Sequence, residues 1–238
     1  MNAPLAHSLK RPQLLISVST VLEAKIALEE GADIIDLKNP ATGALGALPL
    51  DDIKAIVAFI KNQPLAHGRL CSATLGDLPM LPEQLLPPLE QVMAGGVDII
   101  KIGFFACEDY QACLNAVKPY AQAGHQLVAV LLAETAYDDG LIAAIGQAGF
   151  IGVMLDTEIK NGLSLFDCCS LEQLNHVAQQ VLAQGLLLGL AGSLRECHVA
   201  AAKKLQPHYI GFRGGVCRDH QRQSSLDAEK IKVIRKLL

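Results

Sequence analysis

The chain has 238 residues, is 51% hydrophobic and 18% charged, and carries a formal net charge of −4. That composition supports a sizeable core and excludes a disordered chain. The charges are spread along the sequence without a basic stripe, and only four Tyr and six Phe are present, which argues against nucleic-acid binding.

No apolar run reaches transmembrane length. The start, MNAPLAHSLKRPQ, lacks the apolar stretch and cleavage site of a signal peptide. Residues 1–13 read as a short N-terminal tail and residues 14–238 as one domain. The seven cysteines are odd in number and include no CxxC pair, so they read as free thiols of a reducing cytoplasm. Scattered His and Cys give no zinc-site spacing. The expected protein is cytoplasmic, free of metal and membrane, with homo-oligomer formation left open.

Eight apolar runs of strand length follow one another. LLISVST (14–20) is first. Thr20 with Glu23 makes a capping-box pattern for the helix VLEAKIALEEG (21–31), and Gly31 stops it. ADIIDLK (32–38) is the second strand, followed by NPATGALGALPL (39–50), a loop whose glycines permit turns or let it cover a site. RLCSATLG (69–76) precedes LPEQLLPPLEQVMAGG, where Pro87 and Pro88 predict a bent or late-starting helix. VDIIKIGF (97–104), QLVAVLLA (126–133) and FIGVMLD (150–156) come next, and Ser170 with Gln173 repeats the capping box before the sixth helix. GLLLGLAG (185–192), YIGFRGG (209–215) and the helix LDAEKIKVIRKLL complete the series.

Eight strand–helix pairs with near-continuous apolar strands predict an α/β protein, a single-domain parallel (β/α)8 TIM barrel. A doubly wound open sheet is the alternative. It would use fewer units, and no G-x-G-x-x-G follows the first strand.

Strand side chains alternate faces. If Ile35, Leu37, Ile100, Ile102, Val153, Leu155, Ile210 and Phe212 pack on the helices, then Asp36, Lys38, Lys101, Met154, Asp156 and Arg213 point into the barrel. Ser17, Ser19, Ser72 and Thr74 fall in the same phase. The polar strand-end residues then gather at the C-terminal mouth, where barrel enzymes place their chemistry. A single Asp–Lys pair is as readily a structural ion pair. Two lysines, two aspartates and an arginine in register favour a site. Clustered cations and burial lower a lysine pKa, and a neutral amine attacks carbonyls to form a Schiff base. The second amine can serve as acid or base. The turns LAGSL (190–194) and FRGGVCR (212–218) offer Gly192, Ser193, Gly214 and Gly215 as a phosphate cradle, with Arg213 adding a charge-assisted contact. A capping box at Ser193 and Glu196 is the plain structural alternative.

The segments GADIIDLKNPATGALGA, DIIKIG, VMLDTEIKNGLSLFD, LAGSL and GFRGGVC, in this order from about residue 14 onward, closely resemble the (5-formylfuran-3-yl)methyl phosphate synthase family. The resemblance implies a Schiff-base, class I aldolase-like barrel. Such an enzyme condenses two glyceraldehyde 3-phosphate molecules to 4-(hydroxymethyl)-2-furancarboxaldehyde phosphate, with loss of phosphate and water. The product serves methanofuran or methylofuran biosynthesis in one-carbon metabolism. By motif, Lys38 is implied as the imine-forming lysine, Lys101 as the proton acceptor, Asp36 and Asp156 as site acids, and Lys160 as a further site lysine. Lys160 and Arg213 are also candidates for substrate phosphate contacts. No cofactor is implied. The tail before Leu14 and the segment RDHQRQSSLD after Cys217 depart from the pattern, the latter by having fewer glycines. Another Schiff-base aldolase acting on a sugar phosphate, or a non-catalytic sugar-phosphate-binding barrel, are the competing readings.

Overall fold

The computed structural model describes residues 11–238. Most of the predicted tail, residues 1–10, lies outside the described residues. The strands are β1 (Gln13–Val18), β2 (Ile34–Leu37), β3 (Leu70–Thr74), β4 (Ile99–Phe104), β5 (Gln126–Leu132), β6 (Gly152–Asp156), β7 (Leu187–Leu190) and β8 (Tyr209–Phe212). They form a closed barrel in chain order, each parallel to its neighbour, and β8 pairs with β1 through Gln13↔Tyr209 and Leu15↔Gly211. All eight expected strands form, so the closed barrel replaces the open-sheet alternative.

The α-helices are α1 (Val21–Glu29), α2 (Leu50–Lys61), α3 (Pro82–Ala94), α4 (Gln111–Gln122), α5 (Leu141–Gln147), α6 (Leu165–Cys168), α7 (Leu171–Ala183), α8 (Val199–Lys203) and α9 (Ala228–Leu237). Local chemistry sets their ends. Ser170 and Gln173 form the full reciprocal capping box of α7. At α1 only half of the predicted box forms. The Thr20 hydroxyl accepts from Glu23 N, but the Glu23 carboxylate accepts from Ser19 N and Ser19 Oγ. Ser19 therefore lies beyond β1 and caps Glu23, away from the barrel interior. Helix α3 differs from its expectation. It starts at Pro82 and runs through Pro87 and Pro88. The carbonyls of Glu83 and Gln84, which lose their i+4 donors to these prolines, belong to exposed residues and can be hydrated.

Two apolar layers follow from the strand alternation. Ile35, Leu37, Ile100, Ile102, Val153, Leu155, Ile210 and Phe212 pack with the helices in the outer core. Leu15, Ile34, Ile99, Val128, Met154 and Tyr209 fill the barrel. Among the described residues, no helix is long and apolar enough to cross a membrane.

Candidate active site

Parallel register aligns Ser17 with Asp36 and Asp36 with Ser72. All three therefore point inward on adjacent strands. Asp36 is fully buried, so both of its oxygens need donors. Ser17 Oγ donates to Oδ2 at 2.8 Å, and Ser72 Oγ to Oδ1 at 2.7 Å. Lys101, 3% exposed, places Nζ 2.6 Å from Oδ1. The result is a carboxylate held by two hydroxyls and clamped on one amine.

Across the barrel, Asp156 ends β6. Its Oδ1 accepts from Lys160 Nζ at 2.8 Å and from Thr157 N at 2.8 Å. Lys160 also donates to the carbonyl and hydroxyl of Thr157, so its three N–H groups are all used. The loop carrying Lys160 is held from the β5 side, where the Glu134 carboxylate accepts from Glu158 N and Ile159 N. Lys38 stands between the two clusters. It is 7% exposed and its Nζ lies 3.6 Å from Asp156 Oδ2. That amine makes no hydrogen bond among the described residues.

Burial pushes Lys101 below the ordinary lysine pKa. Asp36 opposes this shift and the charge on Lys38 adds to it. Lys160 is lowered in the same way, by burial first, with Asp156 opposing and Lys38 adding. Burial resists ionisation of Asp36, yet Lys101, Lys38 and the hydrogen bonds hold its pKa below the usual carboxylate value. Asp156 is also depressed: burial is outweighed by Lys160 and Lys38. A depressed carboxylate pKa stabilises the fold above the unfolded value of about 3.9 and loses that contribution as pH falls through the folded value. The depressed lysines act at the other end, where stability rises as pH climbs through their folded pKa values toward about 10.4. Denaturant unfolding at pH 7, 5 and 3 should therefore show a loss of stability at the acid end. The loss should be smaller in Asp156→Asn, and equal slopes in the two proteins would contradict this assignment.

All five clustered residues, Asp36, Lys38, Lys101, Asp156 and Lys160, line one cavity of about 730 Å³ at the barrel mouth. The turns after β7 and β8 line it too, through Gly192, Ser193, Gly214 and Gly215. Gly192 has φ +91°, and a side chain there would meet Thr157 at 2.9 Å. A Cβ on Gly215 would lie 2.1 Å from the Leu194 carbonyl oxygen, so the two turns pack backbone to backbone. Among the described residues, the N–H groups of Gly192 and Ser193 donate to no backbone acceptor.

Arg213 reaches the same wall but is committed elsewhere. Nε donates to Arg222 O, Nη1 to Ser17 O and Glu23 Oε2, and Nη2 to Glu23 Oε1 and Ser224 O. These bonds take all five N–H groups of a guanidinium. Arg213 ties the β8 end to β1 and α1 and has no donor left for a substrate phosphate.

Sequence reasoning missed three contributors. Glu23, the Arg213 partner, is hidden in a capping pattern. Asp77 accepts from Ala44 N and Leu45 N, both at 2.6 Å. It thereby folds the 39–50 loop over the mouth and seats Leu45 in the inner core. Arg222 lines the cavity from the segment after Cys217. It stands seven positions past Gly215, and no pattern in the sequence marks it.

A parallel barrel that gathers three lysines and two carboxylates in one cavity at its strand ends is a (β/α)8-barrel enzyme. The model of the 4-HFC-P synthase family matches residues 14–235. The chain belongs to that family. It is 37% identical over 231 residues to a Methylorubrum extorquens protein named as a candidate (5-formylfuran-3-yl)methyl phosphate synthase, covering 97% of this chain and 93% of the relative. It is 33% identical to the (5-formylfuran-3-yl)methyl phosphate synthase of Methanocaldococcus jannaschii, covering 94% and 98%. Among solved structures it shares its fold with phosphoribosyl anthranilate isomerase of Thermus thermophilus. The TM-score there is 0.65 at 16% identity, over 94% of this chain and 97% of that one. A 3-hexulose-6-phosphate synthase gives 0.64 at 14% identity, over 95% and 99%. These two likenesses concern the fold.

Proposed function

We propose that this chain is a (5-formylfuran-3-yl)methyl phosphate synthase. It joins two glyceraldehyde 3-phosphate molecules through an imine on Lys38 and forms the furan phosphate with loss of phosphate and water, for methanofuran-type biosynthesis. The observation that carries this reading is the difference between the three amines. Lys101 and Lys160 are pinned by carboxylates at 2.6 and 2.8 Å, while Lys38 is 3.6 Å from Asp156 and free to turn into the cavity. A nucleophilic amine has to shed its proton and approach a carbonyl carbon, and a weakly held one does so at least cost.

In this reading the protonated imine at Lys38 acidifies the adjacent carbon, and a neighbouring amine takes the proton to give an enamine. Lys101, with its depressed pKa, suits that task. Asp156 lies between Lys38 and Lys160, so that pair can return protons during phosphate elimination and ring dehydration. Asp36 orients Lys101. The glycine turns after β7 and β8 hold a substrate phosphate on backbone N–H groups.

Borohydride reduction in the presence of glyceraldehyde 3-phosphate tests this. The expected result is a stable adduct mapped to Lys38, with furan absorbance and released phosphate in unreduced samples. An adduct on Lys101 would reverse the two lysine roles. A folded protein giving no adduct, no furan and no phosphate would remove the synthase reading.

A further inference from the structure

A cavity that takes two triose phosphates has to hold two phosphates, and the adjoining glycine turns after β7 and β8 form one cradle. Arg222 lies at its edge. Its Cβ is 3.8 Å from where a side chain on Gly214 would begin, so it leaves the wall beside that turn. Its guanidinium reaches the loop between β2 and α2, and Nη2 donates to the Gly43 carbonyl at 2.8 Å. Nε and Nη1 have no partner among the described residues. Asp156 and Asp77 lie close enough to influence its charge, yet neither forms an ion pair with it. Arg213, on the same wall, has every donor filled. A half-buried guanidinium with unused donors is an incomplete group. Its planar fork matches phosphate oxygens two at a time.

We propose that Arg222 anchors the phosphate of the second triose phosphate, on the side of the mouth covered by the 39–50 loop. The identity of that ligand rests on the synthase reading above. Because the same guanidinium is bonded to Gly43, phosphate binding also fixes the loop that follows Lys38. The two substrates are then distinguished by their anchors, backbone N–H groups for one and a guanidinium for the other.

Calorimetric titration of the folded chain with inorganic phosphate tests the anchor without turnover. The wild-type protein should bind two phosphates and Arg222→Ala one, with Arg222→Lys keeping a weakened second site. With glyceraldehyde 3-phosphate, KM should rise about 10- to 100-fold in Arg222→Ala. Equal phosphate binding in wild type and Arg222→Ala, a single site in the wild type, or loss of both sites in the variant would each overturn the proposal. If the count falls from two to one while the wild type makes neither furan nor adduct, the anchor stands and the synthase reading fails.

Discussion

Lys38→Arg should abolish turnover, by about 10³-fold or more, and should leave no borohydride adduct. The substitution keeps a cation beside Asp156 but removes the proposed nucleophile, because a guanidinium stays protonated at any working pH. Charge loss and chemistry are therefore separated. Lys38→Ala should be equally inactive. It should remain folded, since Asp156 retains Lys160 as its counter-charge at 2.8 Å and Lys101 retains Asp36 at 2.6 Å. Removing Lys38 also relieves the repulsion it exerts on both neighbouring amines, so both should recover a higher pKa. Melting temperature and trapped mass measured on the same samples check both halves. Appreciable turnover in Lys38→Arg would defeat the imine role proposed for Lys38.

The second large effect concerns stability as well as rate. Asp36→Asn leaves the Lys101 ammonium, 3% exposed, without its partner in the barrel interior. Breaking one side of a buried pair costs roughly 3–5 kcal/mol, and the Lys101 pKa should fall further as its counter-charge disappears. Turnover should collapse with it, because Lys101 loses both orientation and tuning. The double variant Asp36→Asn/Lys101→Met should regain most of the lost stability and none of the activity. Denaturant unfolding of the three proteins at pH 7 decides this. A cost below about 1 kcal/mol for Asp36→Asn would mean that Lys101 is already neutral in the folded chain.

Much of this arrangement is legible without coordinates, for a physical reason. In a parallel barrel the side-chain period is two and both faces are buried. A charged residue at an inward position therefore stands out against Ile, Val and Leu. Asp36, Lys38, Lys101 and Asp156 all announce themselves this way, and Ser17 and Ser72 follow from register. Periodicity says nothing about partners far apart in the chain. Arg213 shares the phase of the site residues, yet its guanidinium turns to Glu23, 190 residues away. Glu23 in turn reads as a capping residue because Thr20 precedes it by three. Arg222 lies in irregular backbone between β8 and α9, where no repeat marks the direction of a side chain. Lys160 is placed by the motif resemblance alone, since it follows the end of β6. The continuous course of α3 through two prolines depends on the exposure of the two orphaned carbonyls, a property of the packed molecule.

The Arg213–Glu23 pair is a side-chain tie that closes the ring. It joins the end of β8 to α1 across the seam where the last strand meets the first. A second tie at the opposite end of the barrel joins Arg235 of α9 to Asp33, 202 residues apart. Contacts of such long range form late, because the loop entropy must be overcome before they return any energy. A growing chain can assemble β1 to β6 and bring Asp36, Lys38, Lys101 and Asp156 near one another while the ring is still open. Such a half-ring exposes its charged interior to water, which raises the dielectric around Lys101 and returns it toward ordinary basicity. The electrostatic surroundings of Lys101 and Lys160 are therefore complete only once the ring has closed.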